Sequence, residues 1–150
     1  MSGETPRLHL VKLCVGIDSV DQLRRVQQRR AGEKPELGKP REPYHGTRMT
    51  PSRKEELLAG GSLYWVIKGL IQARQTLVDI RTVEEGTQKR YCYLVLDPAV
   101  VLTRPQPRRP FQGWRYLNPQ DAPDDIAEGE DGEDDMPEAM RAELATLGLL

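Results

Sequence analysis

The sequence is poor in the residues that metal and catalytic sites use. Its 150 residues include two cysteines and two histidines, and they show neither a CxxC pair nor Cys/His ligand spacing, which argues against a zinc site. The motifs GxSxG and HExxH are absent, as are a paired-carboxylate signature and a phosphate loop ending in Lys-Ser/Thr. We therefore expect no metal and no cofactor, and we favour a binding protein over an enzyme.

Long apolar runs are also missing. No stretch approaches the roughly 20 residues that span a bilayer, and the N-terminal MSGETPRLHL lacks the charged and then apolar pattern of a secretion signal. These absences predict a cytoplasmic protein without a membrane partner, and they leave the oligomeric state open. Cys14 and Cys92 each lie in an apolar run, which is typical of buried thiols.

Charge is divided unevenly along the chain, although the net charge is only −1. Residues 120–150 hold 11 of the 23 Asp and Glu but one Lys or Arg, which gives −10. Residues 1–119 hold 21 of the 22 Lys and Arg against 12 Asp and Glu, which gives +9. A basic body of this kind favours an anionic partner.

The first half of the chain predicts two helices around a long loop. The apolar run Leu8–Ile17 predicts a buried strand. Ser19, with Gln22 three residues later, fits a capping box that starts a helix. Residues 31–46 are rich in Pro and Gly and predict a loop, and Thr50–Pro51 predicts the start of a second helix that ends at Gly60–Gly61.

The second half predicts strands joined by short turns. Ser62–Gly69 is rich in aromatic and β-branched residues, and a hairpin returns through Tyr91–Leu96, which is apolar on both faces. Ala99–Thr103 and Phe111–Leu117 predict two further strands. This order predicts an α+β domain, a small mixed β-barrel with two or three helices.

The acidic C-terminal part predicts a different organisation. Asp121–Asp135 is acidic and nearly free of apolar residues, so we expect a disordered linker. Pro137 then starts a short helical pattern that ends at Gly148. The predicted domains are a basic α+β domain over 1–119, an acidic linker over 120–136 and a helix over 137–150.

Aromatic residues are scarce, yet they cluster with arginines. Of eight aromatic residues, three lie in the segment 104–117 (RPQPRRPFQGWRYL) together with four arginines. Arginine forks hold phosphates and aromatic faces stack on bases, so this mixture favours single-stranded or unstacked nucleic acid, RNA or single-stranded DNA. The predicted nucleic-acid-binding residues are Tyr44, His45, Arg48, Arg53, Trp65, Lys68, Arg108, Arg109, Trp114 and Arg115.

Three alternatives stay open at this point. Trp65 and Trp114 are also candidates for the core, because tryptophan is highly buried on average. A protein-interaction adaptor could present residues 104–110 as a polyproline helix to a protein partner. An enzyme acting on nucleotides could use His45 or Asp79, whereas a Cys14–His45 nucleophilic pair is disfavoured because Cys14 lies in an apolar run.

Several stretches carry a family resemblance. The stretches LHLVKLCVGIDSV, TRMTPSRKEELLAGGSLYWVIKG, LVLDP and PRRPFQGWRYL together resemble a family of uncharacterised bacterial proteins, the domain of unknown function fourteen-eighty-nine. That resemblance implies no catalytic residues. The order of SLYWVIKG, a hairpin and a Pro-rich closing segment is similar to the small barrels of the PUA, ASCH and EVE domains, which implies binding of RNA or modified bases. A fold by itself does not fix a function.

Overall fold

The architecture is an open mixed sheet covered by two helices on one face. The structure is a computed structural model, and it describes residues 8–30, 43–85 and 89–126. The helices are α1 (Val20–Arg30) and α2 (Lys54–Leu58), and Pro119–Asp121 form a 3-10 turn. The strands are β1 (His9–Leu13), β2 (Tyr44–Thr47), β3 (Ser62–Ile67), β4 (Leu70–Glu85), β5 (Lys89–Leu96), β6 (Val101–Pro107) and β7 (Trp114–Leu117).

The strand order is β2-β5-β4-β3-β1-β7, and β6 pairs with β4. Strands β1 and β3 are parallel, and the other pairs are antiparallel. The predicted α+β class is therefore confirmed, and the described part of the chain contains seven strands. In the described part of the chain β2 and β7 end the order without pairing to each other, so the predicted barrel closure is not observed.

Helix α1 begins where the capping box predicted. The backbone N–H of Gln22 donates to Ser19 Oγ at 3.1 Å, and the N–H of Asp18 donates to Gln22 Oε1 at 2.8 Å. These bonds satisfy amide groups that a helix start leaves without partners. The helix buries Val20 and Leu23 against the sheet and leaves most of its arginines toward solvent.

Two predicted boundaries are wrong. The loop predicted over residues 31–46 ends in strand β2, which pairs with β5 and sets His45 opposite Leu94. A four-residue edge strand has too little alternation for its sequence to reveal it. The helix predicted from Thr50–Pro51 begins only at Lys54. The residue before it is held by β7, because the Arg53 N–H donates to the Tyr116 hydroxyl at 3.2 Å.

The predicted helix stop at Gly60–Gly61 is confirmed. Gly60 has a φ of +90°, in the left-handed region that favours glycine. At Gly61 a Cβ atom would lie 2.4 Å from the carbonyl oxygens of both Leu57 and Leu8. Glycine at this position therefore lets the end of α2 pack directly on the residue that precedes β1.

The sheet buries apolar side chains on both faces. Leu10 of β1 and Trp65 of β3 lie on the face covered by the helices, where they pack with Leu57 and Leu23. The opposite face is smaller, and the closing segment before β7 covers it with Phe111. Burial on both faces explains why β3 is buried at every residue and shows no alternation of apolar and polar residues.

The acidic C-terminal part begins as ordered chain. Asp125 forms an antiparallel bridge with Thr103 of β6, and the Arg104 N–H donates to the Asp124 carbonyl at 2.8 Å. The Asp125 carboxylate accepts two bonds from the Arg74 guanidinium, at 2.6 and 2.7 Å. Residues 121–126 of the linker predicted over Asp121–Asp135 are therefore paired with the sheet, contrary to the prediction. The rest of that linker and the helix predicted over 137–150 lie outside the described residues.

Stability is expected to fall when His9 becomes protonated. Its Nδ1 accepts the Ser62 N–H at 3.0 Å, and burial together with the nearby Arg74 lowers its pKa to about 4. An unfolded chain with an ordinary pKa near 6.5 binds the proton first, so stability is present above pH 6.5 and is lost as the pH falls toward 4. We expect His9 to account for about 1–2 kcal/mol lost between pH 7 and 5.

Urea titrations of the wild type and His9→Asn at pH 7, 6 and 5 measure this contribution. Asparagine keeps an acceptor for the Ser62 N–H but cannot be protonated, so its stability should vary less with pH. Equal pH dependence in the two proteins would contradict the assignment.

Candidate ligand-binding site

A cavity of about 280 Å³ lies where α1 crosses the ends of β1, β2 and β3. Two cationic residues line it, Lys12 from β1 and Arg30 from the last turn of α1. Three ring-bearing residues line it as well, Tyr44 and His45 from β2 and Trp65 from β3. Known ligand pockets range from about 300 to 1,000 Å³, so this cavity lies just below that range and suits at most one small ring system.

His45 forms part of the cavity wall, and its imidazole is in the neutral form near pH 7. Burial, with the charges of Lys12 and Arg30 nearby, lowers its pKa to about 4. Its ring stands edge-on to the Trp65 indole at 5.1 Å. Its Nε2 atom is buried and has no hydrogen-bond partner among the described residues. A buried polar atom without a partner costs free energy, so a ligand that reached this nitrogen would gain a hydrogen bond there.

Lys12 contributes a positive charge to the same cavity. Its side chain is half-buried, burial lowers its pKa, and no carboxylate in the described ranges forms an ion pair with it. The strand register explains its position, because Lys12 pairs with Trp65 on one side and Trp114 on the other. Partial burial without a counter-ion is unfavourable, and it suits a site that receives an anion.

A buried amide network holds the Trp65 side chain in place. Gln75 is fully buried, and its Oε1 accepts the Trp65 indole N–H at 2.8 Å. Gln75 and Gln27 of α1 donate to each other at 2.7 Å, and Gln75 also donates to the Asp97 carbonyl at 3.0 Å. Because Gln27 lines the cavity, the network ties the cavity wall on α1 to the cavity wall on the sheet.

Cys14 lines the cavity beside Lys12, but it is not set up as a nucleophile. Burial raises the pKa of its thiol to about 12, whereas a reactive cysteine needs a stabilised thiolate. The second predicted thiol, Cys92, is fully buried, as expected for a packed hydrophobe. Asp79, a candidate in the enzyme hypothesis, pairs with Arg81 at 2.7 Å and does not line the cavity.

Trp114 faces inward, which resolves the question of its orientation. It is 9 % exposed, packs in the helix-covered core and donates its indole N–H to the Met49 carbonyl at 2.8 Å. Tyr116 stands edge-on to it at 4.9 Å and receives the Arg53 guanidinium over its ring at 5.5 Å. Arg53 also pairs with Glu56. Trp114 and Arg53 therefore support the fold and do not line the cavity.

The remaining predicted residues lie away from the cavity. Arg108 and Arg115 lie over the Phe111 ring, at 5.7 and 5.4 Å from its centroid, on the sheet face opposite to the helices. Lys68 occupies the β3–β4 turn with a φ of +51°. Arg48 and Arg109 are exposed on connecting segments. The ten predicted residues thus do not form one surface, and only Tyr44, His45 and Trp65 meet in the cavity.

Sequence reasoning missed the three charged or amide side chains that line the cavity besides the predicted residues: Lys12, Gln27 and Arg30. One signal for Lys12 was present, since it is the only Lys or Arg in the apolar run LHLVKLCVGI. Gln27 and Arg30 lie on a helix with many polar residues, where only the packing of α1 on the sheet distinguishes them from their neighbours. A metal site finds no support in the described ranges, which contain no group of His, Cys, Asp and Glu residues that could hold an ion.

Comparison with known proteins yields one match. A family model described as protein of unknown function (DUF1489) matches residues 10–150, in agreement with the resemblance of the sequence motifs. Searches of curated proteins and of solved structures found no match. No helix in the part of the chain that the structure describes is long and apolar enough to cross a membrane.

Proposed function

This chain belongs to the DUF1489 family, whose description assigns no activity. From the residues of the cavity, we propose that the protein is a non-enzymatic nucleic-acid-binding domain. The ligand is single-stranded, RNA in particular. One unstacked base occupies the cavity at His45, and the adjoining phosphate meets Lys12 and Arg30. We propose in addition a likeness to the PUA, ASCH and EVE domains, which rests on the order of SLYWVIKG, a hairpin and a Pro-rich closing segment in the sequence.

The observation that carries this proposal is the pairing of an uncompensated cation with an unsatisfied neutral base in one cavity. Among the residues that the structure describes, the Lys12 ammonium has no carboxylate partner and His45 Nε2 has no hydrogen-bond partner. A phosphate satisfies the first group, and a donor on the edge of a base satisfies the second. The rings of Tyr44 and Trp65 supply apolar walls for a planar ligand.

The size and position of the cavity favour a base that has left its stack. The cavity lies between α1 and the sheet, where a base within a duplex does not reach, whereas a single-stranded or extruded base does. The basic body, with +9 over residues 1–119, would attract the strand from a distance. The exposed Arg48, Arg109 and Lys68 contribute to this attraction without forming the base site.

Replacement of Arg30 by glutamine tests the proposal against a closely matched control. Arg30 lines the cavity, whereas the adjacent Arg29 is equally exposed and does not. We expect Arg30→Gln to weaken binding of a fluorescent single-stranded RNA by about three- to tenfold near 50 mM salt. It should also lower the slope of log affinity against log salt by about 0.7, the value for one phosphate contact to a single strand.

Fluorescence anisotropy with single-stranded RNA, single-stranded DNA and duplex RNA measures these effects. Arg29→Gln should change the affinity less than twofold. Absence of binding by the wild type near 50 mM salt, where phosphate contacts are strongest, would refute the proposal. An equal loss of RNA affinity in Arg29→Gln and Arg30→Gln would show that binding depends on the overall positive charge and not on the cavity.

The two alternative functions receive less support from the geometry. Arg104–Pro107 belong to β6, where Gln106 and Pro107 pair with β4 and the Arg104 N–H donates to the Asp124 carbonyl. A partner groove that reads this segment as a polyproline helix would have to displace it. For an enzyme, the cavity contains His45 and Trp65 but neither Arg48 nor Asp79. The neutral thiol of Cys14 offers no activated nucleophile.

A further inference from the structure

A second cavity, of about 620 Å³, adjoins the first along helix α1. The two cavities share two wall residues, Gln27 of α1 and Pro43, which immediately precedes β2. The two cavities lie side by side along α1, the first toward its last turn and the second toward the β5–β6 connection. The Gln27 amide at the junction is fixed by its paired bonds to Gln75.

The walls of the second cavity combine flat apolar groups with one cation. Pro98, Ala99 and Val100 form one side, and Arg24 of α1 lies on the other. The Arg24 guanidinium donates to the Val100 carbonyl at 3.2 Å, so it is held at the cavity wall. Its ion pair with Asp21 is exposed, and exposed pairs contribute little, so Arg24 can also interact with a phosphate.

We propose that the second cavity is the subsite for the neighbouring nucleotide of the same strand. This inference rests on the proposed function, and it adds that the minimal ligand is a dinucleotide. One base fills the cavity at His45, the backbone passes Gln27, and the second nucleotide lies on the surface formed by Pro98 and Val100. Arg24 meets the phosphate of that second nucleotide.

A comparison of mononucleotide and dinucleotide binding tests the subsite. The probes are 5′-phosphorylated mononucleotides with adenine or uracil and the matching 5′-phosphorylated RNA dinucleotides, titrated calorimetrically into the full chain. Base contacts in single-strand sites are strong enough that we expect each dinucleotide to bind the wild type about tenfold more tightly than its mononucleotide.

Ala99→Trp fills the second cavity from an exposed turn. We expect it to remove the dinucleotide advantage while the mononucleotide affinity stays within twofold of the wild type. Val78→Trp is the control, because Val78 is 44 % exposed and lines neither cavity. Arg24→Gln should lower the dinucleotide affinity and leave the mononucleotide affinity unchanged. Arg25→Gln is its matched control and should change neither affinity. Thermal melting verifies that each variant is folded.

The outcomes separate the two proposals. Equal affinity of the wild type for mononucleotides and dinucleotides would overturn the second subsite and leave base binding at His45 intact. A dinucleotide advantage that survives in Ala99→Trp would likewise overturn it. If the wild type binds neither the mononucleotides, nor the dinucleotides, nor any longer single strand, the proposed function and the subsite are refuted together.

Discussion

Replacement of Lys12 by methionine is expected to stabilise the protein and to weaken ligand binding at the same time. The Lys12 side chain is half-buried beside Trp65 and Trp114 and has no carboxylate partner in the described part of the chain. Methionine has a similar length and no charge, so the unfavourable partial burial of an ammonium disappears. We expect the free energy of unfolding to rise by about 0.5–2 kcal/mol, as is common when a functional group is removed.

Binding should change in the opposite direction. A hydrogen bond to a charged group is worth roughly 1.5–3 kcal/mol, which corresponds to a loss of about 10- to 150-fold in affinity for single-stranded RNA. Urea titration and anisotropy on the same preparations measure both quantities. Lys68→Met is the matched control, because Lys68 lies at the exposed β3–β4 turn and outside both cavities.

A gain in unfolding free energy together with a loss of RNA affinity distinguishes a lysine that binds the ligand from one that supports the fold. If Lys12→Met destabilises the protein and leaves RNA affinity within twofold of the wild type, the ammonium supports the fold and the phosphate assignment is wrong. A similar loss of affinity in Lys68→Met would mean that binding depends on overall charge.

Gln75→Leu is expected to cost about 3–5 kcal/mol of unfolding free energy. The side chain is fully buried, and its amide bonds to the Trp65 indole, the Gln27 amide and the Asp97 carbonyl. Leucine fills a similar volume but leaves those three partners unsatisfied, and each buried unsatisfied group costs roughly 1–3 kcal/mol. Urea-induced unfolding followed by tryptophan fluorescence measures the loss.

The control for this prediction is Gln72→Leu on the same strand. Gln72 is half-buried, and its amide donates to the Ile67 carbonyl at 2.8 Å, so its replacement should cost about 1 kcal/mol or less. Similar losses in both variants would contradict the network, because they would show that any glutamine replacement on β4 has the same effect.

Local signals in the sequence were sufficient for the elements that depend on near neighbours. The capping pair Ser19 and Gln22 predicted the start of α1, and Gly60 predicted the end of α2, since each acts within one turn of chain. The apolar run Tyr91–Leu96 predicted a central strand, and β5 does lie between β2 and β4. These features require no knowledge of what lies across the sheet.

The cavity could not be predicted because it depends on long-range pairing. Lys12 meets Trp65 and Trp114 only through the register of β1 with β3 and β7, and a register cannot be read from one strand alone. For the same reason, the sequence did not show that the arginine and aromatic residues of 104–117 lie on two different faces of the sheet. Trp114 turns into the core, whereas Phe111 and its two arginines lie on the opposite face of the sheet.

The most direct test follows the two tryptophan indole N–H signals in a ¹⁵N–¹H NMR titration with single-stranded RNA. The chain has two tryptophans, and only Trp65 lines the cavity, whereas Trp114 is bonded to the Met49 carbonyl. Binding at His45 predicts a saturable shift of the Trp65 signal that is larger than any shift of the Trp114 signal. A Trp65 signal that stays unchanged while the RNA saturates the protein would contradict the site.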